Sequence, residues 1–245
     1  MIELSGISKT YAKSAVKAVD DLSITVRDGE IFGFLGPNGA GKTTTIKILT
    51  GIIRPDAGVA MIDGIDVALD PMAAKRRIGY VTDNPELFSR LKAAEYLNFV
   101  ADIYGVDSAT RQARVAEYAA KFEIKDALGG SIGSFSHGMK QKLLVTASLL
   151  ADPQNWVLDE PMTGLDPKAA FTLKEVMRSR VAAGKTVFFS THVMEVAEKL
   201  CDRLAIVNKG RIVFIGTLAE LNRAKGEDGT LESLFLEVVQ DKDEV

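Results

Sequence analysis

The sequence predicts an α/β fold with a mostly parallel sheet core, antiparallel strands near its N-terminal end and an inserted helical subdomain. Three observations carry this. Short apolar runs alternate with longer stretches of helical spacing, the pattern of a sheet whose strands are joined by helices. The pairs Asp28-Gly29 and Asp63-Gly64 mark tight turns between strands near the N-terminus. Between about residues 85 and 150 strand-like runs give way to continuous helical spacing.

In chain order, Ile31-Phe32-Gly33-Phe34-Leu35 reads as a fully buried strand and Lys42–Thr50 as the helix after it. Leu91–Ile103, Ala109–Phe122 and Met139–Leu150 are the helices of the insert. Trp156-Val157-Leu158 and Thr186-Val187-Phe188-Phe189 are further buried strands, each followed by a helix. Two short strands, Leu204–Val207 and Arg211–Ile215, flank Asn208-Lys209-Gly210. This assigns residues 1–84 and 151–216 to an α/β core, 85–150 to the helical subdomain and 217–245 to a helical tail with an acidic end. No internal repeat is visible.

Of the 245 residues, 47% are hydrophobic and 26% charged, enough for a substantial core under an ordinary soluble surface. The net charge is −3 and no basic run is long enough to read as a nucleic-acid footprint. A single cysteine, Cys201, excludes an intrachain disulfide, fits a reducing compartment and reads as a small buried side chain. Met1-Ile2-Glu3-Leu4-Ser5 lacks the features of a signal peptide, and no apolar stretch reaches the roughly 18–20 residues of a membrane span. A membrane role therefore requires a separate membrane chain.

Gly36-Pro37-Asn38-Gly39-Ala40-Gly41-Lys42-Thr43 matches the phosphate-loop pattern GxxxxGK[ST], after a predicted strand and before a predicted helix. Glycines let backbone N–H groups converge on a β-phosphate, and the helix adds its positive end. Lys42 is suited to the β- and γ-phosphates and the Thr43 hydroxyl to Mg²⁺. Trp156-Val157-Leu158-Asp159-Glu160-Pro161 is an apolar strand ending in adjacent carboxylates. Asp159 is suited to hold Mg²⁺ through water and Glu160 to polarise a water for attack on a γ-phosphate. Ser134-Phe135-Ser136-His137-Gly138-Met139 offers a hydroxyl and free N–H groups at a helix start, another anion site, although taken alone the segment reads rather as an ordinary N-cap. Ser190-Thr191-His192 ends a buried strand and leaves His192 as a candidate γ-phosphate contact.

The order Gly36–Thr43, Ser136-His137-Gly138, Asp159-Glu160-Pro161, Gly164-Leu165-Asp166 and His192 resembles the nucleotide-binding subunits of ABC transporters, over about Ile2 to Gly216. The resemblance implies a P-loop ATPase fold of the ABC type. Its Walker A loop would be Gly36–Thr43, with Thr44 beside it, and Walker B with the catalytic glutamate would be Asp159-Glu160. Residues 136–138 match the signature motif, 164–166 the D-loop and His192 the switch histidine, and Tyr11 falls where the family has an aromatic that stacks on adenine. ATP and Mg²⁺ are the implied cofactors. A second nucleotide-binding subunit, packed head to tail, is implied as partner, each ATP lying between Walker A of one subunit and the signature of the other.

A separate transmembrane permease would complete the assembly, placing this chain on the cytoplasmic face of the membrane. The tail Leu231–Glu237 resembles the C-terminal helix of ABC-2-type exporter subunits, though a short amphipathic end helix reads the same way. No nucleic-acid partner is expected. A soluble ATPase acting on ribosomes or DNA would need a second nucleotide domain, a long coiled coil or a zinc module. A GTPase would need NKxD, and Asn208-Lys209-Gly210-Arg211 lacks the aspartate.

Two positions depart from the family pattern. The usual signature LSGGQ reads Phe135-Ser136-His137-Gly138-Met139 here, which leaves His137 either a phosphate contact or a solvent-facing side chain. Asp83, after Ile78-Gly79-Tyr80-Val81-Thr82, stands where glutamine is expected and is assigned to the nucleotide site as a carboxylate able to approach Mg²⁺ or the attacking water.

Overall fold

The computed structural model describes residues 1–12, 15–83, 88–225, 231 and 235. Its strands form two sheets. β1 (Ile2–Thr10), β2 (Lys17–Val26), β4 (Ala57–Ile62) and β5 (Ile65–Asp66) make an antiparallel sheet in the order β2-β1-β4-β5. Asp63 and Gly64 turn β4 into β5 with φ of 51° and 77°, the left-handed pair that a two-residue hairpin demands. Asp28-Gly29 does not make a hairpin. It carries the chain from β2 in this sheet to β3 (Ile31–Leu35) in the other.

The second sheet has the order β10-β9-β3-β8-β7-β6, using β6 (Ile78–Val81), β7 (Asn155–Leu158), β8 (Thr186–Thr191), β9 (Arg203–Asn208) and β10 (Arg211–Gly216). All pairings in it are parallel except that of β10, which hairpins onto β9 at the edge. Every residue of β3, β7 and β8 is buried, as strands covered on both faces require. The strands extend the predicted spans by one or two residues, the usual uncertainty at element ends.

The helices are α1 (Lys42–Leu49), α2 (Pro71–Arg76), α3 (Ala93–Ile103), α4 (Ser108–Lys121), α5 (His137–Leu149), α6 (Pro167–Ala182), α7 (Met194–Leu200) and α8 (Leu218–Lys225). Among the described residues, α3, α4 and α5 are the insert, and no strand divides them. Asp107 caps α4 through Thr110 N at 2.9 Å, which explains the start one residue ahead of the predicted Ala109. The insert shares its core with the parallel sheet. Leu143, Leu144 and Ala147 of α5 belong to one buried cluster with Trp156, Leu158, Val187 and Phe189. Burying side chains of this size contributes about 1.5–3 kcal/mol each, so the insert is anchored on the strand that ends in Asp159-Glu160.

An ionic joint fastens the same border. Asp152, at φ 49°, accepts from Arg180 at 3.0 Å and from Lys185, and Arg114 of α4 lies 3.8 Å away while donating to Leu150 O at 2.6 Å. Of the predicted tail helix, Leu231 and Phe235 are described; Leu231 is buried in one cluster with Leu204, Ile206 and Leu221, and Phe235 packs against that cluster. The remainder of Leu231–Glu237 lies outside the described residues.

Candidate functional site

Parallel register brings the C-terminal ends of three strands together. Leu35 is level with Thr191, and Leu158 with Phe189. The loop after β3, the carboxylates after β7 and the end of β8 therefore meet at one edge, the ordinary ligand position of an α/β sheet.

The loop Gly36–Gly41 is held on several sides. Gly36 N donates to Thr191 O at 3.3 Å, Ala40 N to Pro37 O at 3.2 Å, and Ala40 O accepts from Gly210 N at 2.9 Å. Gly41 has φ 106°, and a Cβ there would sit 2.4 Å from Ala18 O, so glycine is required both by conformation and by space. Gly41 also caps α1, whose first residue is Lys42.

Lys42 is buried. Its ammonium donates to Gly36 O at 2.7 Å and Pro37 O at 3.2 Å and lies 3.2 Å from Glu160 Oε1. That last contact is electrostatic, because Glu160 Oε1 makes no hydrogen bond of regular geometry. The other oxygen, Glu160 Oε2, is 3.0 Å from His192 Nδ1. Glu160 is therefore suspended between a lysine and a histidine, with its backbone at φ 45°, a left-handed conformation that side chains other than glycine rarely adopt.

Ser190 ties both carboxylates to β8. Its hydroxyl donates to Asp159 Oδ1 at 2.6 Å and accepts from Glu160 N at 2.9 Å. Asp159 is fully buried, and burial pushes its pKa up, against the hydrogen bonds of Ser190 and Thr43 and in concert with the nearby charges of Asp83 and Glu160. Its second oxygen, Oδ2, has no hydrogen-bond partner.

Asp83 lines the same cleft as Asn38, Gly39, Lys42, Thr43, Thr44 and Glu160, and accepts from Thr82 Oγ1 at 3.2 Å. Tyr11 stands exposed at the mouth, its hydroxyl 3.3 Å from Thr44 Oγ1. The structure thus gathers residues 36–44, Asp83, Asp159, Glu160, His192 and Tyr11 into one place.

Ser136, His137, Gly138 and Asp166 gather elsewhere, around Gly164 and Lys142. Ser136 caps α5 through Met139 N at 3.3 Å. Asp166 caps α6 through Ala169 N at 2.8 Å and takes Lys142 Nζ at 2.7 Å, the latter holding its carboxyl below the usual range. His137 is in the first turn of α5 with ordinary helical backbone, so this position does not need glycine. Its ring lies against Gly164.

Three contributors went unread in the sequence. Ser190 enters the sequence reading only as part of Ser190-Thr191-His192, with no role of its own. Gln141 is buried and donates to Pro161 O at 3.3 Å, linking α5 to the turn after Glu160. Lys142 binds Asp166. The sulfur of Cys201 sits where a Cβ on Gly33 would be, 2.5 Å away, and burial raises the thiol pKa, in keeping with the expected packing role.

The ABC transporter family profile matches residues 19–163. The chain belongs to the ABC transporter family. It is 35% identical to the ABC transporter ATP-binding protein NatA of Bacillus subtilis, over 90% of this chain and 91% of that one. It is 37% identical to the daunorubicin/doxorubicin resistance ATP-binding protein DrrA of Streptomyces peucetius, over 93% of this chain and 68% of DrrA. A solved ATP-binding subunit of an ABC transporter superposes with a TM-score of 0.91 at 32% identity, over 98% of this chain and 99% of the other. The chain is an ATP-binding ABC ATPase with the α/β fold of that family, and among its described residues no helix is long and apolar enough to cross a membrane.

Proposed function

We propose that this ABC ATPase powers a separate membrane permease, as the ATP-hydrolysing half of an exporter, through ATP-driven closure of a dimer. The single observation that carries the reading is the pairing of Glu160 with both Lys42 and His192 at the mouth of the phosphate loop. A carboxylate so placed can accept a proton from an attacking water, and the lysine ammonium and the imidazole stand where negative charge develops during phosphoryl transfer.

In this reading Gly36, Pro37, Asn38, Gly39, Ala40, Gly41, Lys42, Thr43 and Thr44 cradle the phosphates, and Tyr11 stacks on the base. Glu160 positions and deprotonates the water, and His192 contacts the γ-phosphate and holds Glu160 in place. When ATP arrives, Lys42 exchanges its bonds to Gly36 O and Pro37 O for phosphate oxygens.

Mg²⁺ fits the residues present. Asp159 Oδ2 is buried and unpartnered, the Thr43 hydroxyl is beside it, and Asp83 borders the cleft. One or two carboxylates with substrate phosphates are the usual surroundings of this ion, which when bound neutralises phosphate charge.

Ser136, Gly138 and Asp166 lie apart from the phosphate loop, which supports a composite site completed by a second subunit. A bacterial ABC transporter cassette at 25% identity and a TM-score of 0.81 has a dimeric solved structure. The permease assignment is supported by exposed apolar side chains on the insert. Phe99 and Ile103 stand one turn apart on α3, Phe88 stacks edge-on with Phe99 at 5.8 Å, and Ile52 shares a groove with Tyr104. Exposed patches of this kind mark interaction surfaces. Export is favoured by the relatives, whose names include drug resistance and Nod factor export proteins.

The test is Glu160→Gln with ATP and Mg²⁺, read by light scattering and phosphate release. The variant is expected to hydrolyse about 10²–10⁴-fold more slowly and to accumulate as dimer. Turnover at the parent rate removes Glu160 from its role, and a monomer at saturating ATP removes the dimer.

A further inference from the structure

Four contacts join the first turns of α5 to the loop between Glu160 and α6, one of them the buried Gln141 amide donating to Pro161 O at 3.3 Å. A Cβ on Gly164, at φ 75°, would lie 2.2 Å from His137 Cδ2 and 3.0 Å from Nε2, so the imidazole already fills that space. A Cβ on Gly138 would lie 2.6 Å from Gly164 O, so the two backbones touch without a side chain between them. One turn further along, Lys142 Nζ binds Asp166, which also caps α6. Residues 137–142 and 164–166 are thus held by ring packing, backbone contact and an ion pair.

We infer that His137 is a positioning residue: its ring locks the first turn of α5 onto Gly164, so that the Ser136–Gly138 turn and the loop leaving Glu160 move as one body. This rests on the reading of 136–138 as the half-site for a partner's nucleotide. The ring packs on its own chain's loop while the residue stays exposed to solvent, which favours the solvent-facing option over a direct phosphate contact. The physical argument is one of freedom. With glycine at 137, three successive small or flexible positions would face Gly164, and the 164–166 end of the loop would be held chiefly by the Lys142–Asp166 pair, which solvent weakens, the Gln141–Pro161 bond holding only the end nearer Glu160. A flat ring against a left-handed glycine admits few alternative placements.

The consequence is for closure rather than for loading. A partner's γ-phosphate meeting the α5 turn would then meet a loop already in position, and ordering that loop would not be charged against dimer formation. The same linkage would report the state of one subunit's 136–138 turn to its own Glu160, six residues or fewer from every member of the loop.

The experiment uses the Glu160→Gln background, comparing His137, His137→Gly and His137→Phe for ATP-dependent dimerisation and for nucleotide Kd. His137→Gly is expected to weaken dimerisation about fivefold, the low end of coupling between sites, without a matching change in the Kd of the isolated subunit. His137→Phe, which keeps a flat ring, is expected to restore it. Loss in both variants alike would mean that the imidazole nitrogen acts directly on phosphate, and dimerisation unchanged in His137→Gly would mean that the ring positions nothing. Either result overturns the inference. A double-mutant cycle in heat denaturation separates this from failure of the dimer reading. Gly164→Ala is expected to destabilise the parent more than it does His137→Gly, since only in the parent does the new methyl meet a ring. Additive losses would remove the contact itself, whatever the dimer does.

Discussion

The two halves of the nucleotide machinery are built differently. Around Lys42 most polar groups are buried or half-buried and, Asp159 Oδ2 and Glu160 Oε1 excepted, hydrogen-bonded within the chain: Lys42 to the loop carbonyls, Asp159 and Glu160 to Ser190, Glu160 again to the exposed His192. Around Ser136 they are exposed, and their partners are a helix cap, a glycine and a surface ion pair. A buried, hydrogen-bonded constellation can bind a ligand with little reorganisation. An exposed helix start becomes an anion site only when something brings the anion to it. In the reading proposed above, the contrast corresponds to a first half that binds nucleotide in a single subunit and a second that is used only when another subunit closes over it.

Substitutions can break or sharpen that contrast. The largest expected effect is from Lys42→Ala, which removes the buried cation and leaves Glu160 facing His192 alone. Titration of the isolated subunit should show ATP affinity lowered by about tenfold or more, as for loss of a charge-assisted phosphate contact. Next is Ser190→Ala. It deprives Asp159 of one of its donors and Glu160 N of its acceptor, and leaving such buried groups unsatisfied costs about 1–3 kcal/mol. Both the melting temperature and hydrolysis should fall in the isolated subunit. Tyr11→Ala should raise the Kd for ATP by about two- to tenfold, the worth of an aromatic contact; an unchanged titration would return Tyr11 to surface packing.

The smallest expected effect is at the border of the insert, in Asp152→Asn. Burial alone would raise the Asp152 pKa, yet hydrogen bonds and charges from Lys185 and Arg180 hold it below the ordinary carboxylate value. A depressed folded pKa contributes stability that is present above the unfolded value, about 3.9, and lost as pH falls through the folded one. Asp152→Asn should therefore melt slightly lower than the parent at neutral pH, the gap closing below about pH 4. A gap that persists in acid would assign the effect to packing.

The first half was largely legible in the sequence because its rules are local. Glycines of fixed spacing, a lysine and a hydroxyl between an apolar run and a helix specify β3, the loop and α1 without reference to distant residues. The carboxylates at 159 and 160 declare themselves by following a buried strand. What was missed depends on register or on contact between segments far apart. Ser190 acquires its role only because β7 and β8 pair so that Asp159 falls beside it. His137 meets Gly164 across an intervening strand and turn, which no spacing rule encodes. The short helix α2 was a different omission, since Asp70-Pro71 is a local start signal and Asp70 does cap it, through Ala73 N at 3.0 Å.

Glu160, proposed above as the reacting carboxylate, has a left-handed backbone, a conformation that costs a non-glycine residue on the order of 1 kcal/mol or more. Heat resistance and turnover therefore pull this position in opposite directions. A selection scored on melting temperature alone would favour glycine or asparagine at 160, and the survivors would be sturdier proteins that seize nucleotide and fail to release it.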